Sequence, residues 1–132
     1  MDTAQHISFL KIVLRIVGIL FFCVYPLMLV WPSGWTWHSG YSDYPMMIIG
    51  IYATLGVFLL LAANDPLHHL SLIWFTVWSS IVHGLIMVVQ SFATPGHMGH
   101  LVGDIPALFI IAIVLALLTP RHQRGDHASA AS

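Results

Sequence analysis

The sequence predicts an all-α fold, a transmembrane four-helix bundle with both termini in the cytoplasm. Three observations carry this reading. Hydrophobic residues make up 58% of the chain and charged residues 7%, where a soluble domain carries about 25% charged residues. Four apolar segments approach the roughly 20 residues needed to cross about 30 Å of hydrocarbon. The basic residues, Lys11, Arg15, Arg121 and Arg124, stand at the two ends of the chain and leave the loops without Lys or Arg. Basic residues concentrate on the cytoplasmic side, so an even number of spans places both termini there. Lipid offers backbone groups no partners, which leaves helices as the spanning element, since four strands could not close a barrel.

A chain of 132 residues suits a single membrane domain, residues 1–132. The helices are expected at approximately 9–30, 45–63, 66–92 and 96–118, followed by a disordered polar tail, 119–132. The first segment has no small-x-small cleavage site after its apolar run and ends in Val30-Trp31-Pro32-Ser33-Gly34-Trp35, so it reads as a retained helix and not a signal peptide. The Trp31–Tyr44 linker has the Trp, Tyr, Ser and Gly content of a loop at a membrane interface. Asn64-Asp65-Pro66 is a turn in which Asp65 can cap the third helix and Pro66 suits its first position. The single cysteine, Cys23, excludes an intrachain disulfide. A formal net charge of −1 supplies no field for nucleic acid.

The third helix carries the clearest pattern. His69, Thr76, Ser80, His83, Gln90 and Thr94, with Ile73 and Met87 between them, recur at alternating steps of four and three and so share one face. That face should turn into the bundle. His83 lies deep in the span, where an ionisable side chain is costly and points to function; the alternative is a neutral histidine that bonds a neighbouring helix and acts as packing glue. The expected intramembrane polar site is therefore His83, Gln90, Ser80 and Thr76.

The start of the fourth helix has two readings. If Asp104 caps it, Ile105–Leu118 offers 14 residues, a rise of about 21 Å. If it begins near Gly96, it has 23 residues and rises about 35 Å, enough to span. Length favours the second, with a kink at Pro106, whose ring leaves the Val102 carbonyl unpaired. His97, His100 and Asp104 would then line one face, and Gly99 and Gly103 would form a small-xxx-small pair for close helix approach. Two imidazoles and a carboxylate are ligand types that zinc or a similar transition metal accepts, and His38 and Asp43 from the other loop could add to them. The structural alternatives are interfacial histidines and an aspartate cap. No HExxH, CxxC or CxxCH motif is present.

At the opposite end, Arg15, Asp65 and His69 form an inner-face group, with an Arg15–Asp65 pair as one expectation and Asp65 as a plain cap as the other. Bis-histidine haem is disfavoured, because the second helix has Tyr52 but no histidine. Ser79 and Ser80 precede His83 without a visible third group to orient them, so no catalytic motif is recognised.

The runs Trp31-Pro32-Ser33-Gly34-Trp35, Gly50-Ile51-Tyr52-Ala53, Leu55-Gly56-Val57-Phe58-Leu59, Ala63-Asn64-Asp65-Pro66, Phe75-Thr76, Trp78-Ser79-Ser80, Val82-His83 and Gly99-His100-Leu101 with Gly103-Asp104 resemble a bacterial family of small four-helix integral membrane proteins of unknown function. They resemble the DoxX-like group more loosely. The resemblance spans about residues 9 to 118 and implies a multi-pass protein of the bacterial inner membrane; it implies no activity. Three functions stay open. One is a metal- or proton-handling binding module around the histidine-containing polar interior. Another is a small accessory subunit that packs against larger membrane partners. The third is a transporter, which at this size would need a homo-oligomer.

Overall fold

The computed structural model describes residues 3–37, 42–94 and 96–120. It contains α1 (Thr3–Phe22), α2 (Val24–Val30), α3 (Pro32–Trp35), α4 (Asp43–Ala62), α5 (Leu70–Ala93) and α6 (Asp104–Leu118). Single 3-10 turns, Pro66–His69 and Met98–Leu101, lead into α5 and α6. Four stretches are long and apolar enough to cross a membrane: Thr3–Phe22, Asp43–Ala62, Pro66–Ala93 and Met98–Leu118. The chain is thus an all-α, multi-pass membrane protein whose apolar helix faces meet lipid.

The first helix is longer than its apolar run and is not continuous. It starts at Thr3, breaks at Cys23 and resumes as α2. Pro26 explains the break: it has no N–H to offer the Phe22 carbonyl, and the Cys23 N–H contacts both the Ile19 and Leu20 carbonyls as the last turn tightens. α3 then folds back, with the Thr36 hydroxyl donating to the Met28 carbonyl.

α6 begins at Asp104 and not near Gly96. The cause is Pro106, whose ring would clash with the Val102 carbonyl if the helix ran back through it. In the first turn of a helix that begins at Asp104, Pro106 costs nothing. The chain keeps its span by entering through the 3-10 turn, so the shortage of length that favoured an earlier start is met without a kinked α-helix. Of the expected disordered tail, 119–132, Thr119 is buried and its N–H donates to the Leu115 carbonyl; residues 121–132, with Arg121 and Arg124, and His38 lie outside the described residues.

The four spans pack as two pairs. α4 lies on α1, α6 lies on α5, and α1 meets α6. Leu10, Leu14, Leu59, Ile73, Val77 and Leu115 are buried where the pairs meet. The remaining surfaces carry large apolar side chains, such as Ile16 and Ile19 on α1, Val82 and Val89 on α5, and Ile113 and Leu117 on α6, all exposed. Water would not tolerate such surfaces, but lipid does.

The α1–α4 contact is backbone on backbone. A methyl group on Gly56 would stand 2.6 Å from the Gly18 carbonyl oxygen, and one on Gly18 would stand 2.8 Å from that of Gly56. Small residues permit this approach, and the gain in membrane helix association is mainly van der Waals packing. The Gly18–Gly56 register also fixes depth: Arg15 falls one turn further toward the Asp65 end of the bundle. Gly56→Val forces rigid backbones apart and is expected to cost about 1–3 kcal/mol as overpacking. Gly50→Ala meets nothing within 4 Å and should leave thermal unfolding in detergent unchanged. Equal melting temperatures for the two variants would disprove the close contact.

Candidate functional site

The end of the bundle opposite the Asp65 turn is built around one carboxylate. Asp104 opens α6 and is buried. The Trp37 indole N–H donates to its Oδ2 at 2.7 Å, across 67 residues of sequence. His100 Nδ1 lies 3.0 Å from Oδ1 and 3.1 Å from Oδ2. His100 is itself 2% exposed, and its ring stacks on Trp37 with centroids 3.9 Å apart and planes 26° apart. Where His100 carries its proton on Nδ1, both carboxylate oxygens accept, and the buried acid is satisfied without a cation.

Local sequence explains how these groups meet. The 3-10 turn places His100 one turn before Asp104, in the i, i+4 relation that joins them. α3 brings Trp37 across: a side chain at Gly103 would collide with the Gly34 carbonyl, and one at Gly99 with that of Ser33. The Gly99/Gly103 pair therefore does permit close approach, but of the α3 turn and not of a spanning helix.

Beneath this cluster lies a cavity of about 350 Å³. α1 and α2 contribute Leu20 and Met28, α4 contributes Ile48 and Tyr52, α5 contributes His83 and Gln90, and α6 contributes Asp104 and Leu108. Trp35 and Trp37 close it at the loop end. Its wall is largely aliphatic and aromatic, the usual make-up of a small-molecule site. The lining residues Ile48, Ile86 and Gln90 are exposed, which places the opening between α4 and α5, on the lipid side of the bundle.

The polar groups on the wall are short of partners. The Trp35 indole N–H is buried with no hydrogen-bond partner. Among the described residues, the Tyr52 hydroxyl, the His83 ring and the Gln90 amide also lack one. His83 meets Tyr52 edge to face at 5.6 Å, and Tyr52 meets Phe21 in the same way at 4.9 Å. Buried polar groups in native proteins are ordinarily paired, so the Trp35 N–H calls for an explanation; the half-buried Tyr52 and His83 and the exposed Gln90 set further polar groups beside the same cavity.

The helix-3 stripe is divided by the fold. His83 and Gln90 reach the cavity. Thr76 and Ser80 are buried on the same helix, but the Thr76 hydroxyl is spent on the Leu72 carbonyl and the Ser80 hydroxyl is unpartnered. His69 and Thr94, at the helix ends, are exposed. Of His97, His100 and Asp104, the last two meet as a hydrogen-bonded pair. His97 stands with its ring 5.0 Å from Trp37 and 5.7 Å from His100. Among the described residues no group of three His, Cys, Asp or Glu side chains is arranged to hold a metal ion.

At the other end, Asp65 does not pair with Arg15. It meets His68 Nδ1 at 2.6 Å in an exposed contact, because His68 is one 3-10 turn away whereas Arg15 is exposed on α1. Nor does Asp65 cap the turn with its side chain.

Sequence reasoning missed Trp35 and Trp37, which read as interfacial anchors. The available signal was their Trp-x-Trp spacing beside a Gly, together with a buried acid elsewhere that needed a donor. Trp37→Phe keeps an aromatic ring beside His100 but removes the N–H together with part of the indole. It is expected to cost about 1.5–3 kcal/mol, as for a hydrogen bond to a charged group. A thermal midpoint equal to that of the parent protein would show the bond to be unimportant.

The family model of DUF6632, described as a family of unknown function, matches residues 4–128. No curated protein matches the chain, and no solved structure does.

Proposed function

The chain belongs to the DUF6632 family, and from the cavity of this member we propose a membrane-embedded binding module for a small, mainly apolar molecule that carries a polar group. The observation behind the reading is the coincidence of an apolar cavity open toward lipid with Tyr52, His83, Gln90 and Trp35, which present unpaired polar groups to it. The buried Trp35 N–H is costly without a partner, and polar groups set in an apolar wall orient a ligand. Tyr52 and Gln90 can each donate and accept, and His83 can do either according to its tautomer. The ligand would lie with its apolar part along Ile48 and Leu108 and its polar end toward the Trp37–Asp104–His100 cluster. The same His83 site could pass protons to a bound molecule. A metal on His97, His100 and Asp104 has less support, since among the described residues no three such groups are arranged to hold one.

The test uses protein in nanodiscs with the uncharged fluorophore 1-aminoanthracene, read by energy transfer from tryptophan. Saturable transfer is expected for the parent protein. Ala107→Trp, which fills the cavity wall, should abolish the saturable part and leave only the partitioning seen with empty nanodiscs. Identical curves for parent and variant would refute the reading.

We also propose that both termini face the cytoplasm, on the strength of the basic residues at the chain ends. In a Cys23→Ser background, a membrane-impermeant maleimide should block Thr94→Cys in intact cells and reach Asn64→Cys only after lysis. The reverse pattern would invert the topology.

A further inference from the structure

We propose that the molecule held in the cavity is an organic cation, an amine or quaternary ammonium with an apolar body, recognised by Asp104 and the aromatic walls around it. This inference rests on the cavity being a binding site and goes further by assigning the charge of its occupant.

The charge inventory is one-sided. Among the described residues Asp104 is the one acidic side chain on the wall, and neither Lys nor Arg lines it. Among the described residues the basic side chains are Lys11 and Arg15, both on α1 beyond Gly18, toward the Asp65 end. An anionic head group would find no Arg or Lys fork, the usual means of holding carboxylate or phosphate. It would also be pressed against a carboxylate in a setting where like charges are poorly screened.

Asp104 is suited to the opposite sign. Its carboxylate is held by Trp37 and His100, so its position does not depend on a ligand. Its side chain is still 10% exposed. When His100 donates as a neutral imidazole, the pair keeps a net negative charge. Trp35, Trp37 and Tyr52 all line the same cavity. Aromatic faces attract cations through the ring quadrupole, most strongly where water is absent, and groups of them recognise quaternary ammonium ligands. A bare metal ion does not fit this setting, because the wall offers rings and one carboxylate where a metal needs several donor atoms.

The experiment compares benzyltrimethylammonium with neopentylbenzene, its uncharged isostere, by equilibrium dialysis against protein-loaded nanodiscs, with empty nanodiscs as the blank. The parent protein is expected to bind the cation about tenfold more tightly than the isostere. Asp104→Asn should remove that preference while binding of the isostere persists, which also reports that the variant is folded. Trp35→Leu, which leaves the Asp104 cluster untouched, should weaken the cation more than the isostere. Equal binding of the two compounds, or a preference that survives Asp104→Asn, overturns the cation assignment and leaves the binding module standing. Failure of both compounds to bind, together with failure of 1-aminoanthracene, removes the binding module itself.

Discussion

A single buried carboxylate sets the arrangement of one end of this protein. Asp104 is the first residue of α6, and removing it from water without partners would be prohibitive. Its partners come from two places. His100 arrives through the 3-10 turn directly before it, and Trp37 arrives from a loop that follows a different span. Satisfying Asp104 therefore ties the α3 turn across the top of the bundle, stacks Trp37 on His100, and closes the end of the cavity with Trp35 and Trp37. The glycines at 99 and 103 are what allow the two segments to come close enough, their missing Cβ atoms leaving room for the Ser33 and Gly34 carbonyls.

The rest of the fold is held by different means. α1 and α4 touch through bare backbone at Gly18 and Gly56, and α5 accommodates the Phe109 ring over Gly84. In lipid there is little hydrophobic gain from bringing helices together, so such close approach and a few polar contacts supply the association. Two pairs built in this way, joined by α1 and α6, leave α4 and α5 apart where the cavity opens.

Much of this was legible in the sequence. Composition, the four apolar runs and the Asn64-Asp65-Pro66 turn give the helical class and the number of spans. The four-three spacing on the third helix singled out His83 and Gln90, which line the cavity, and Asp104 stood out as an acid at the edge of a span. The two boundary differences have one cause. Pro26 and Pro106 each act on a carbonyl four residues earlier, and the remedy, a break after Phe22 or a fresh start at Asp104, depends on packing that periodicity does not report. The pairing of residues remote in sequence was not legible. Nothing local says that Trp37 donates to Asp104, and an interfacial tryptophan is a sufficient account of that residue until its neighbours are known. Asp65 shows the converse: proximity in sequence to His68 prevailed over the depth argument that suggested Arg15.

The opening between α4 and α5 changes what affinity must be made of. A pocket that faces water gains free energy when apolar surface leaves the solvent. Here the surrounding solvent is itself hydrocarbon, and any molecule that settles against Ile48 and Leu108 only trades one oily environment for another. The aliphatic wall can exclude by shape but contributes little attraction. Acyl chains, present everywhere at the opening, are standing competitors that fit the same wall. Discrimination must then come from features an acyl chain lacks, a charge or a directed hydrogen bond, and the cavity concentrates both at its closed end.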